Sequence, residues 1–92
     1  MTVKMLDFRF EPLHVTVRAD QALTFDNGGS VTHNFTILRV TNTVNLDVAA
    51  GKSASTETIG KLLRPGDYDF LCKFHAVTHG MIGVLTVTAA SP

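Results

Sequence analysis

Arg64-Pro65-Gly66-Asp67-Tyr68-Asp69-Phe70-Leu71-Cys72, followed after a loop by Met81-Ile82-Gly83-Val84-Leu85-Thr86-Val87-Thr88, is the stretch that decides the fold. Both runs are rich in aromatic, β-branched and other apolar residues, and turn chemistry bounds them. Arg64-Pro65-Gly66-Asp67 fits a type II turn, with Pro setting φ at one central position and Gly supplying a positive φ at the next. Gly66 to Cys72 and Met81 to Thr88 therefore read as the last two strands of the chain.

Working outward, the same pattern recurs toward the N-terminus. Val15, Val17 and Ala19 fall on one face of His14 to Ala19, and Leu23 and Phe25 do so within Ala22 to Asp26. Asn27-Gly28-Gly29-Ser30 breaks that strand with a turn. Asn34 to Val40 is rich in Phe, Thr, Ile and Val, while Thr43 to Ala49 and Ser53 to Ile59 flank a turn at Ala50-Gly51-Lys52. No segment sustains a helical period, and Thr56 to Leu63 is the best candidate for one short turn of helix. Seven or eight strands at about ten-residue spacing predict an all-β Greek-key sandwich or barrel with at most one such turn.

Composition bounds the function. The chain has 92 residues, 45% hydrophobic and 17% charged, which suits one compact domain over 1–92 and argues against disorder. Eight basic and eight acidic residues cancel, so no field attracts nucleic acid or an anionic membrane. No stretch approaches the ~18 apolar residues of a membrane span. Met1 to Phe10 carries Lys4, Asp7 and Arg9 and lacks the apolar run of a secretory signal. On this reading the protein works where it is made, or the sequence is a mature or trimmed form. Paired carboxylates, an activated Ser or Thr and a phosphate-cradling Gly loop are all missing; Gly28-Gly29 reads as a turn. A stand-alone enzyme is not expected.

The chemistry gathers in Cys72-Lys73-Phe74-His75-Ala76-Val77-Thr78-His79-Gly80-Met81, where the only cysteine stands near two imidazoles and a thioether. His33 lies far upstream between two strand-like segments. Soft sulfur suits Cu(I), and imidazole suits either oxidation state of copper. Taken singly, each side chain is more often a packing or surface residue: a buried Cys is a small hydrophobe and a Met at a strand start is core. Their clustering favours a metal site, because two of four histidines lie within seven positions of the single Cys, beside one of three Met. His14, with no other donor near it in sequence, reads as an exposed or structural residue, and Asp67 and Asp69 as solvent-facing.

Several motifs together resemble the cupredoxins, the small blue copper proteins of the plastocyanin, amicyanin and pseudoazurin type. Phe10-Glu11-Pro12 followed by Val15-Thr16-Val17, and then Ala22-Leu23-Thr24-Phe25-Asp26-Asn27, is similar to the family's opening. His33-Asn34-Phe35 resembles its first-ligand motif, Leu63 to Cys72 the run into its cysteine, and Met81 to Val87 its methionine and final strand. The resemblance implies one copper per chain held by His33, Cys72, His75 and Met81, cycling between Cu(I) and Cu(II). It implies that Asn34 ties the two ligand loops together by hydrogen bonding; a glycan on the Asn34-Phe35-Thr36 sequon would break that packing.

Two departures from the family pattern stand out. Five residues separate His75 from Met81, more than the family's usual spacing, and His79 stands among them. Ala76 replaces the Pro that frequently follows the second His. Three arrangements follow: His75 and Met81 bind with His79 a bystander; His79 displaces His75; or both imidazoles bind and Met81 is pushed out. The first is favoured, since a short Cys-to-His gap is geometrically economical and a weak axial thioether suits a redox site. Phe74, Ala76 and Val77 would surround the exposed edge of His75 as the apolar patch where a redox partner docks, the alternative being that Phe74 caps the core. The function so implied is single-electron transfer by a monomer in the periplasm or outside the cell. The alternatives are copper storage, delivery or sensing, or a cupredoxin domain of a larger copper oxidase or reductase.

Overall fold

Alternation of buried and exposed side chains sets most of the strands, and the computed structural model describes residues 1–37 and 44–90. In chain order these are β1 (Thr2–Leu6), β2 (Arg9–Glu11), β3 (His14–Arg18), β4 (Thr24–Asn27), β5 (His33–Ile37), β6 (Val44–Val48), β7 (Ser53–Ser55), a 3-10 turn (Ile59–Lys61), β8 (Gly66–Leu71), α1 (Ala76–His79) and β9 (Ile82–Thr88). β1 and β3 bury every second residue, as period-2 patterning requires. β5 is buried at all five positions: Phe35 packs between the sheets, while Asn34 and Thr36 on the opposite face bond to side chains of the adjacent β6, Asn45 and Asp47.

Four strands form one sheet in the order β2-β1-β4-β7, and five form the other in the order β3-β9-β8-β5-β6. β1 runs parallel to β4, and β3 parallel to β9; the remaining pairs are antiparallel. Consecutive strands β3 and β4 lie in different sheets, as do β6 and β7, the crossing connectivity of a Greek-key sandwich. Aromatic rings from both sheets interlock between them. Phe10 meets Phe70 edge-on at 4.8 Å, Phe25 lies 4.4 Å from Phe35, and Phe35 lies 5.1 Å from Phe70. All four are buried, and such pairs add about 0.5–1.5 kcal/mol each beyond their area.

The all-β sandwich expected from the sequence is present, with differences at its margins. Nine described strands replace seven or eight, because Thr2–Leu6 and Arg9–Glu11 form a hairpin that the charges at Lys4, Asp7 and Arg9 disguised. Val3, Met5 and Phe10 of that hairpin are fully buried. The expected helical turn lies at Ile59–Lys61, within the Thr56 to Leu63 window, and shortens the Ser53 to Ile59 strand to Ser53–Ser55. A second helical piece, α1, was not expected. Residues 38–40 of the predicted Asn34 to Val40 strand and Thr43 of the predicted Thr43 to Ala49 strand lie outside the described residues. Arg64 to Asp67 is not a type II turn: Gly66 already opens β8 with φ +150°, where that turn needs about +80°. The Tyr68 hydroxyl closes this corner by donating to the Arg64 carbonyl at 2.6 Å. Among the described residues no helix is long and apolar enough to cross a membrane.

Strand pairing brings the donor residues to one end of the five-stranded sheet. Leu71 faces Ile82 across β8 and β9, so Cys72 and Met81 emerge side by side, and the Cys72 N–H donates to the Met81 carbonyl at 3.0 Å. β5 runs antiparallel to β8 with Thr36 opposite Leu71, which puts His33 at that same end.

Candidate metal centre

His33, Cys72 and His75 converge so that one donor atom from each lies within 4.8 Å of the others. Cys72 Sγ is 3.4 Å from His75 Nδ1 and 4.0 Å from His33 Nδ1, and the two imidazole rings stand 5.0 Å apart. Cys72, His33 and Met81 are fully buried, and His75 is half-buried. Burial pushes the His75 imidazole below its ordinary pKa of 6.5, and its neighbours His33 and His79 push it further the same way. A neutral ring with a free lone pair is the form a metal takes.

The long stretch from His75 to Met81 folds as a single helical turn. The Cys72 carbonyl accepts the N–H groups of His75 at 3.1 Å and Ala76 at 2.8 Å, and the His75 carbonyl accepts that of His79 at 2.9 Å. Gly80, at φ +64°, ends the turn in the left-handed conformation that glycine adopts without a Cβ penalty. The five intervening residues are thereby wound outward, with Val77 at their tip 98% exposed, and Met81 returns against Cys72. His79 stays outside the donor cluster. It is exposed, its Nδ1 is 2.8 Å from Thr78 Oγ1, and its ring stacks on Phe8 at 3.9 Å.

Asn34 does what the resemblance implied. Its Oδ1 accepts the Lys73 N–H at 3.2 Å, joining the His33 strand to the residue after Cys72. Its Nδ2 donates to Asn45 Oδ1 at 2.6 Å and Asp47 Oδ1 at 2.7 Å, and the side chain is buried. His14 is exposed, with Nε2 2.9 Å from Thr86 Oγ1, and Asp67 and Asp69 face solvent.

Sequence reasoning missed three residues beside the cluster. Asp7 and Phe8, in the turn between β1 and β2, reach over it. Asp7 Oδ1 lies 2.7 Å from His33 Nε2, while its Oδ2 accepts the Ser30 N–H at 2.9 Å and hydroxyl at 2.6 Å. The Ser30 hydroxyl and amide, and then His33, hold the Asp7 carboxyl down to about 2 from its ordinary 3.8. Phe8 sits 4.7 Å from the His75 ring and meets His33 edge-on at 5.9 Å. Gly29 is the third. A Cβ there would lie 2.9 Å from His33 Nε2 and closer still to Asp7 Oδ1. Only the parallel register of β1 with β4, Met5 opposite Asn27, brings these segments together.

A two-sheet sandwich with one cysteine sulfur and two imidazole donors at the end of one sheet defines a class of copper-binding folds. The family model described as cupredoxin-like domain matches residues 1–87, and the chain belongs to that family. Its fold is similar to a purple cupredoxin from Nitrosopumilus maritimus, at TM-score 0.72 and 19% identity over 95% of this chain and 98% of that one. A plastocyanin from Dryopteris crassirhizoma aligns at TM-score 0.75 and 22% identity, covering 96% of this chain and all (100%) of that one. An oxidised amicyanin variant aligns at TM-score 0.76 and 18% identity, over 96% of this chain and 81% of that one. No curated protein matches by sequence. Copper fits the donor set. A buried thiol paired with two imidazoles, and a buried thioether at the start of the neighbouring strand, is the soft and borderline mixture this metal prefers.

Proposed function

We propose that residues 1–92 act as one copper-binding domain that carries single electrons, with His33, Cys72 and His75 as ligands and Met81 as the weak axial one. The convergence of three donor atoms within 4.8 Å on a rigid sandwich carries this reading. When bound, copper supplies a one-electron Cu(I)/Cu(II) couple. The chain's own part is to hold the donors in place: His33 on β5, and Cys72 through its backbone bonds to Met81 and α1. Burial of Cys72 and His33 keeps water from the thiolate.

His75 is the half-buried donor, and Phe74, 47% exposed, lies 6.3 Å from its ring. With Val77 on α1, that edge is the apolar patch at which a redox protein docks on a monomer. The carrier works in the periplasm or outside the cell, as cupredoxin relatives typically do. The extra imidazole of His79 is the feature that would suit storage. Its ring lies 5.7 Å from that of His75 and stacks on Phe8, but it is not among the three converging donors, which favours the carrier.

Adding Cu(II) to the purified metal-free protein is the test. The expected result is an intense visible thiolate-to-copper absorption that Cys72→Ser abolishes and His79→Ala leaves. Absence of that band, or its survival in Cys72→Ser, sinks the proposal.

A further inference from the structure

The donor end of the sandwich holds a carboxylate that the ligand set does not use. Asp7 lies at an exposed turn, but its side chain is 26% exposed and its oxygens are engaged in hydrogen bonds, Oδ2 with the Ser30 amide and hydroxyl and Oδ1 with His33 Nε2. An ionised carboxylate can only accept, so the proton of the 2.7 Å contact belongs to His33 Nε2. The neutral ring then has its lone pair on Nδ1, the nitrogen that faces Cys72 Sγ at 4.0 Å. The loop is built around this pair. Asn27 fixes Gly29 by accepting its N–H at 2.8 Å, and it donates to the carbonyls of Val31 at 2.9 Å and Val48 at 2.8 Å. At Gly29 the hydrogen stands where any side chain would drive the carboxylate off the imidazole.

From this geometry we infer that Asp7 is a positioning residue for the metal centre: it selects the His33 tautomer, aims Nδ1 into the site and lends the imidazole negative charge. The inference deepens the copper reading given above and rests on it for its redox consequence, but the tautomer belongs to the protein alone. A carboxylate behind a ligating imidazole raises its basicity, which favours the more highly charged metal state. Asp7 therefore stabilises Cu(II) over Cu(I) and lowers the reduction potential. Removing such a partner weakens metal binding about 10–100-fold. If the weakening falls on Cu(II) alone, each tenfold raises the potential by about 59 mV.

Nitrogen-15 NMR of the metal-free protein at pH 8 reads the His33 tautomer without any metal. The expected result is an Nε2-protonated His33 in the wild type, a mixture of tautomers in Asp7→Ala, and the same mixture in Gly29→Ala, which retains both partners but separates them. Ser30→Ala removes a bond from the loop while leaving the carboxylate on His33, and it should keep the wild-type tautomer. An Nδ1-protonated wild type, or a tautomer indifferent to both Asp7→Ala and Gly29→Ala, overturns the inference. So does a Ser30→Ala variant that loses the tautomer as fully as Asp7→Ala, since loop integrity would then suffice. With copper bound, Asp7→Asn should raise the potential, and an unchanged potential refutes the electrostatic half. Failure of the wild type to bind copper at all would count against the metal reading and leave the NMR result standing.

Discussion

Asn34 shows how much one buried amide can carry. Its oxygen accepts from the Lys73 amide and the buried Thr36 hydroxyl, and its nitrogen reaches the exposed Asn45 and Asp47 side chains. Asn34→Ala therefore takes the acceptor from the Lys73 amide and from Thr36 at once. Stranding such groups costs about 1–3 kcal/mol, and chemical denaturation of the metal-free variant should show a loss of that size. Met81 behaves differently. Met81→Leu keeps the buried volume, a swap that usually costs less than about 1.5 kcal/mol, yet removes the thioether. The variant should fold and bind copper with an altered visible spectrum, and an unaltered one would place Met81 in the core only. Acid acts on two residues of the metal-free protein. The folded state holds His75 below its ordinary pKa of 6.5, so the unfolded chain binds more protons there. Stability should fall as pH drops through 6.5. Asp7, lowered from 3.8 to about 2, contributes stability above 3.8 that disappears as pH falls toward 2. Thermal melts across this range should show both legs, with Asp7→Asn flattening the lower one.

Among the elements, α1 converts an unusually long ligand loop into a compact one. Gly80 has nothing within 4 Å of where a Cβ would stand, so substitution there meets only the left-handed backbone. Gly80→Ala should therefore cost about 1–2 kcal/mol, lowering Tm by about 4–8 °C per kcal/mol in a domain this small. Gly80→Asn, which tolerates that conformation better, should lose less. The strands were legible in the sequence where apolar residues alternate, as in Val15 and Val17 or Leu23 and Phe25. α1 was not, since four residues are too few to display a helical period. Cys72, His75 and His33 could be picked out because their side-chain chemistry is rare and clustered. Asp7 and Gly29 could not. Their roles come from the register between β1 and β4, a long-range pairing that no local pattern in either segment encodes.

At the scale of the whole molecule, metal and fold are linked. A ligand that binds only the folded state at a hundred times its Kd adds about 2.7 kcal/mol, so copper should raise the Tm of the wild type well above that of Cys72→Ser. Equal shifts in both proteins would put the bound copper somewhere other than Cys72. The order of the five-stranded sheet bears on a different matter, the sequence of events during synthesis. β9 is the last strand of the described chain, yet it lies between β3 and β8 and is the only partner of β3 in that sheet. A growing polypeptide can release Cys72 and His75 from the ribosome before the strand that joins the two parts of their sheet has been made. Met81 reaches its place beside Cys72, and the five-stranded sheet is joined, only once β9 slots into the gap, so the completed centre cannot form before β9 has been made. A chain stalled before Met81 should display a reactive, solvent-accessible thiol, and thiol labelling of ribosome-bound chains of increasing length should report the moment it closes.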